Sequence, residues 1–204
     1  MIEASQQQSK QVVEPVAGWA LALSAALSVL VMAHHPTGTA HAAMLGRLVH
    51  GAMMVLVVVM LAGFARFTIA RGLDRFAAAL ALAFYLAAAI GNLLAATING
   101  FVVPALLERG AYEENAALLW TLNQTFAKAA VYAISAAFAL WGADMLARGP
   151  RLIGAAGIVA GALPAALLAA GVLDMHVAGA LVIYAGQALF TMLAGIYLVT
   201  RKRG

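Results

Sequence analysis

AAMLGRLVHGAMMVLVVVMLAGFARFTIARGLDR, residues Ala42–Arg75, is the stretch whose reading decides the fold. From Leu48 to Ala65 it carries no Asp, Glu, Lys or Arg, and the basic cluster RGLDR closes it. A helix rises 1.5 Å per residue, so roughly 20 apolar residues cross the ~30 Å hydrocarbon core of a bilayer. Long apolar runs of this kind recur along nearly the whole chain. Of its 204 residues 65% are hydrophobic and 10% charged, against about a quarter charged in a soluble domain.

The pattern predicts an all-α, polytopic membrane protein: one transmembrane domain over residues 16–200, a six-helix bundle, with a polar N-terminal tail at 1–15 and a basic end at 201–204. The first helix runs from about Val16 to Ala33 and stops at Pro36 and Gly38; the second covers Ala42–Ala70. The third covers Phe76–Leu107, with Pro104 bending its last turns. After the loop ERGAYEEN come helices at Ala116–Ala147, Leu152–Val172 and Met175–Thr200.

An even number of spans puts both termini on one side. Lys10, Arg66, Arg71, Arg75, Arg148, Arg151, Arg201, Lys202 and Arg203 fall on that side, out of twelve basic residues in all. By the positive-inside rule both termini are cytoplasmic. Acidic residues in the first segment and an overlong apolar run argue against a cleaved signal peptide. The positive balance reflects topology and gives no reason to expect nucleic acid. With no cysteine in the chain, disulfides, thiolate nucleophiles, iron–sulfur clusters and Cys-held zinc are excluded.

Polar side chains inside hydrocarbon are costly and usually face the bundle interior. Ser24, Ser28 and His35 share a face of the first helix, and Tyr85, Asn92 and Asn99 form one line on the third. Gln124, Lys128, Tyr132 and Ser135 make a stripe on the fourth, with Asn123 beside it; His176, Tyr184, Gln187 and Thr191 share a face of the sixth. The expected result is a polar pocket opening outward, with Lys128 at its floor, about 18 Å deep. The fifth helix carries Gly157 and Gly161 at small-xxx-small spacing, a close-packing face or a dimer seam. The bland alternative is that the amides and hydroxyls are interhelical glue.

All five histidines, His34, His35, His41, His50 and His176, map to the outer side. His50 lies about 6 Å inside the outer boundary, and Arg47 one turn earlier would keep its imidazole neutral, the ligand form, or bring an anion to it. Imidazole with nearby Met thioethers suits copper, and imidazole pairs suit zinc or haem iron. A haem b held axially by His50 and His176, or by one of them and His35, is the sharpest version; His34 is a further candidate. No HExxH and no His–carboxylate triplet at ligand spacing is present. The other readings are that these histidines are only interfacial polar trim, or that they handle protons.

HHP after the first helix, a His in the second and NGFVVP closing the third resemble the pattern of small bacterial inner-membrane proteins. Three functions follow as expectations: a ligand-binding inner-membrane protein, with a His-held metal or haem; a carrier of a small anionic or polar solute using Lys128; a non-catalytic subunit of a larger membrane complex. Partners then include the lipid bilayer, a small-molecule ligand, and another membrane protein or a second copy. For an enzyme, only Lys128, the histidines and the tyrosines offer reactive groups.

Overall fold

The computed structural model describes the backbone of residues 2–35 and 42–201, and the side chains of residues 13–35 and 44–201. His41 and the expected break at Pro36 and Gly38 lie outside the described residues. The chain is all-helical, with 6 helices long and apolar enough to cross a membrane. These are α1 (Ile2–Ala33), α2 (Ala42–Arg71), α3 (Phe76–Thr97), α5 (Tyr112–Arg148), α6 (Arg151–Ala169) and α7 (Val177–Thr200); the π-helical turn Ile98–Val102 and the short α4 (Val103–Glu108) prolong α3 into one span.

Several boundaries depart from the sequence expectation: the fourth span begins at Tyr112, inside the expected loop, the fifth ends at Ala169 and the sixth begins at Val177. Residues 2–15, read as a tail, continue α1, which passes through Pro15. The segment is rich in Glu, Ala, Gln and Lys, all good helix formers, and that composition outweighs one proline. The third span is not a bent α-helix but contains a π-turn just before Pro104, where the N–H of Val103 reaches back five residues to the Ile98 carbonyl. Proline has no N–H, and in an α-helix its ring meets the carbonyl four residues earlier. The wider π-turn accommodates this without ending the span.

Each span packs on two neighbours, so that α1, α2, α3, α5, α6 and α7 close a ring in that order. At the end bearing the arginines, aromatic side chains fill the ring. Phe64 stacks on Trp141 at 4.6 Å, and Phe67, Tyr85, Phe138 and Phe190 surround them. There Asp144, 4% exposed, accepts from Arg71 Nε at 2.7 Å and from Arg148 Nη2 at 2.6 Å. A second Arg71 nitrogen also bonds the carboxylate, and Arg71 Nη1 donates to the Tyr197 hydroxyl at 3.3 Å. The cluster ties α2, α5 and α7 together.

Glycine sets how close the helices come. A Cβ on Gly161 would sit 2.5 Å from the Ser135 carbonyl, and one on Gly154 2.6 Å from the Leu146 nitrogen. Gly157 faces Gly142 and Phe190. The small-residue face of α6 is therefore spent within the chain, against α5 and α7. That removes the basis for reading Gly157 and Gly161 as a dimer seam.

Candidate functional site

A cavity of about 500 Å³ occupies the half of the bundle opposite the aromatic core. α1, α2, α3, α4, α5 and α7 line it, together with the π-turn and the Met175–His176 segment, while no residue of α6 does. From Gly46 to Met60 on α2, or from Asn99 down to Tyr85, the lining spans about 21 Å at 1.5 Å per residue. The walls are mostly apolar, more so than the polar stripes suggest: Met32, Val49, Met53, Val57, Met60 and Ala89 outnumber the amides near them.

At the upper wall, the ring nitrogens His35 Nε2 and His50 Nε2 lie 3.2 Å apart, with the rings nearly perpendicular at 83°. His50 Nδ1 is 2.8 Å from the Gly46 carbonyl. A carbonyl only accepts, so His50 carries its proton on Nδ1 and turns the lone pair of Nε2 toward His35. In the neutral pair His35 then donates Nε2–H. This backbone bond fixes both tautomer and ring direction, as the outer hydrogen bonds of ligating imidazoles commonly do.

The π-turn makes room for this arrangement. A Cβ on Gly100 would lie 2.6 Å from His50 Cβ, and the Asn99 carbonyl passes 3.7 Å from where Gly46 would carry one. Gly100 therefore lets α2 and the third span approach at the imidazole, whereas a Cβ at Gly46 would make only an ordinary contact. π-turns frequently mark functional positions.

The other residues singled out from the sequence divide into two groups. Asn92, Asn99, Asn123, Gln124, Tyr184, Gln187 and His176 line the cavity. Asn123 donates to the Ala95 carbonyl at 3.1 Å, Gln124 to the Met175 carbonyl at 3.1 Å, and the Tyr184 hydroxyl to Asn92 at 3.5 Å. His176 stands at the rim with its side chain 66% exposed, its ring against Trp120 at 5.0 Å. The imidazole that meets His50 is His35, and the expected pairing with His176 is not formed.

Arg47, Lys128, Tyr132 and His34 do not line the cavity. Arg47 pairs with Glu108 on the surface at 2.7 Å, so Gly46, not Arg47, orients His50. His34 is exposed and donates to the Leu30 carbonyl at 2.8 Å. Lys128 and Tyr132 lie on the outer surface of α5. Each four-residue step along a helix advances about 40°, so the line from Gln124 through Lys128 to Tyr132 walks off the inner face. Asn123, Ala127, Ile134 and Phe138 hold that face instead. The carrier expectation loses its charge partner with this placement.

Gln187 differs from the other cavity amides in being fully buried without a partner among the described residues. It is 4% exposed, it lines the cavity, and neither Nε2 nor Oε1 has a hydrogen-bond partner among the described residues. A buried polar group left unpaired costs about 1–3 kcal/mol, so such a group calls for an explanation. Gly46, Met53 and Val57 also line the cavity; they sit four residues before, and three and seven after, His50, and that helical spacing was the available signal.

Among the described residues no group of three or more His, Asp or Glu side chains is placed to hold a metal. No protein-family model, curated protein or solved structure matches the chain.

Proposed function

We propose that this integral membrane protein resides in the inner membrane with both termini cytoplasmic, and that its cavity opens outward and binds a ligand at the His35–His50 pair. The observation that carries the reading is the 3.2 Å separation of the two Nε2 atoms. Metal–imidazole bonds are about 2.0–2.1 Å, so two imidazoles on one tetrahedral ion stand about 3.3 Å apart and trans ligands about 4 Å. The spacing favours two adjacent ligands on one transition-metal ion over a haem b held between the pair. Met32 and Met53 line the same cavity, and imidazole with thioether suits copper.

To hold an ion between the two Nε2 atoms, His35 would shift its single proton from Nε2 to Nδ1, so that both Nε2 lone pairs are available as ligands. The test is metal content and spectrum of the purified protein, as isolated and after equilibration with copper or zinc. One equivalent retained through desalting is the expected result. Sub-stoichiometric metal under both conditions ends the metal reading, and a Soret band would replace it with haem.

A second reading, a subunit of a larger membrane complex, draws on the outer face of α5. Thr121, Thr125, Lys128 and Tyr132 are exposed there at spacings of four, three and four residues. Intramembrane charges usually turn away from lipid toward a partner. The occupant this stripe fits is a transmembrane helix of another protein with a carboxylate at matching depth. Purification in a mild detergent tests it: a co-migrating membrane protein lost in a Lys128→Glu variant supports the reading, and a wild-type protein that runs alone opposes it.

A further inference from the structure

Two of the arginines around Asp144 have hydrogen-bonding capacity that the cluster does not use. Arg71 is fully engaged: Nε donates to the carboxylate, Nη1 to the Tyr197 hydroxyl and Nη2 to the Asp144 backbone carbonyl at 3.1 Å. Arg148, the last residue of α5, gives Nε and Nη2 to Asp144 Oδ1 at 3.2 and 2.6 Å, and its Nη1 bonds nothing among the described residues. Arg75, between α2 and α3, comes only to 3.7 Å from the same oxygen, and its guanidinium makes no hydrogen bond among the described residues. The two side chains converge on one atom, yet they are 40% and 53% exposed, so both present donors to the outside. One carboxylate against three guanidiniums gives the cluster two positive charges in excess. Asp74, the neighbouring acid, is exposed and pairs with none of them among the described residues.

We infer that Arg75 and Arg148 hold the phosphate of an anionic phospholipid, with its acyl chains against the apolar side chains beside them. The positive-inside rule asks only for cations at this end of the bundle. It does not ask that two guanidiniums be fixed on one buried carboxylate oxygen with donors to spare. Asp144 holds the pair in place before a ligand arrives, and guanidinium donors suit phosphate oxygens, often two at a time. Arg75 directly precedes α3 and Arg148 ends α5, so the pair stands at the helix ends, level with lipid headgroups. Phe76, next to Arg75, and Leu152, four residues after Arg148, are exposed apolar side chains at the same end, a surface for acyl chains. A headgroup such as phosphatidylglycerol matches the excess charge, whereas phosphatidylcholine carries a quaternary ammonium that cancels its own phosphate. The site is separate from the cavity and independent of any ligand at His35 and His50.

Dioleoylphosphatidylglycerol, dioleoylphosphatidylcholine and glycerol 1-phosphate, titrated against the delipidated protein in detergent with complexes counted by native mass spectrometry, test it. Phosphatidylglycerol is expected to bind one per chain, roughly tenfold or more tighter than phosphatidylcholine of the same chains. Glycerol phosphate, which has the anion without the acyl chains, should not displace it even in large excess. Arg75→Gln, at a half-exposed residue that no hydrogen bond ties to the cluster, should keep the melting temperature and lose the preference for phosphatidylglycerol. Arg109→Gln, at an exposed arginine of the opposite end, should keep the preference. Equal binding of the two phospholipids to the wild-type chain overturns the inference without recourse to a variant. So does an unchanged preference in Arg75→Gln, or an equal loss in Arg109→Gln, which would make net charge alone responsible. Displacement by glycerol phosphate overturns it too and assigns the site to a free phosphate ester.

Discussion

His35 and His50 come from different helices, fifteen residues apart in the chain, yet their Nε2 atoms lie 3.2 Å from each other. His50 is held for this contact by the Gly46 carbonyl, one helical turn earlier. Replacing either imidazole by alanine should remove the retained metal, while His34→Ala, at an exposed residue bonded to Leu30, should not. Equilibrium dialysis with copper followed by metal analysis checks this. Loss in His34→Ala equal to that in His50→Ala would count against the pair.

Gly100 tests whether the close approach at the π-turn matters. A methyl group there meets His50 Cβ at 2.6 Å, so Gly100→Ala must push α2 from the third span or turn the imidazole away. The expected cost is about 1–3 kcal/mol of overpacking, together with weakened metal binding. Thermal denaturation in detergent and the same dialysis measure the two effects. An unchanged melting temperature with unchanged metal binding contradicts the tight packing.

Asp144 tests the other end of the bundle. Asp144→Ala leaves the Arg71 guanidinium, 7% exposed, without its carboxylate. Removing one partner of a buried ion pair typically costs about 3–5 kcal/mol. Glu108→Gln breaks the exposed pair with Arg47 and should cost under about 1 kcal/mol. A urea or thermal series on both variants gives the comparison, and similar losses would show that burial does not set the difference.

Gly161→Leu addresses how α6 is used. The Ser135 carbonyl and the Ala139 nitrogen occupy the space a side chain needs, so α6 should separate from α5 and stability should fall. If the small-residue face joined two copies instead, the variant would dissociate an oligomer and keep the fold of each chain. Light scattering in detergent beside a melting curve distinguishes these outcomes.

Much of the architecture is local and was readable without coordinates. Six spans of sufficient length, the arginine clusters between them and the glycine spacing of α6 each follow from residues close in sequence. Several cavity residues were also legible, because Asn92 and Asn99, or Tyr184 and Gln187, repeat at helical spacing on inward faces. That reasoning failed for Lys128 and Tyr132, where a four-residue repeat drifts about 40° at each step and leaves the buried face.

The partner of His50 could not be read this way. Whether His35 or His176 meets it depends on how α1, α2 and α7 are arranged around the ring, and on the π-turn that lets Gly100 rest against His50. The buried Arg71–Asp144 pair likewise joins α2 to α5 across 73 positions of sequence. The sequence by itself determined a six-span membrane bundle, because hydropathy and length act within each segment. Tertiary structure alone decided which imidazoles meet, which amide is left without a partner and which lysine faces outward, because those depend on helix rotation and neighbour order.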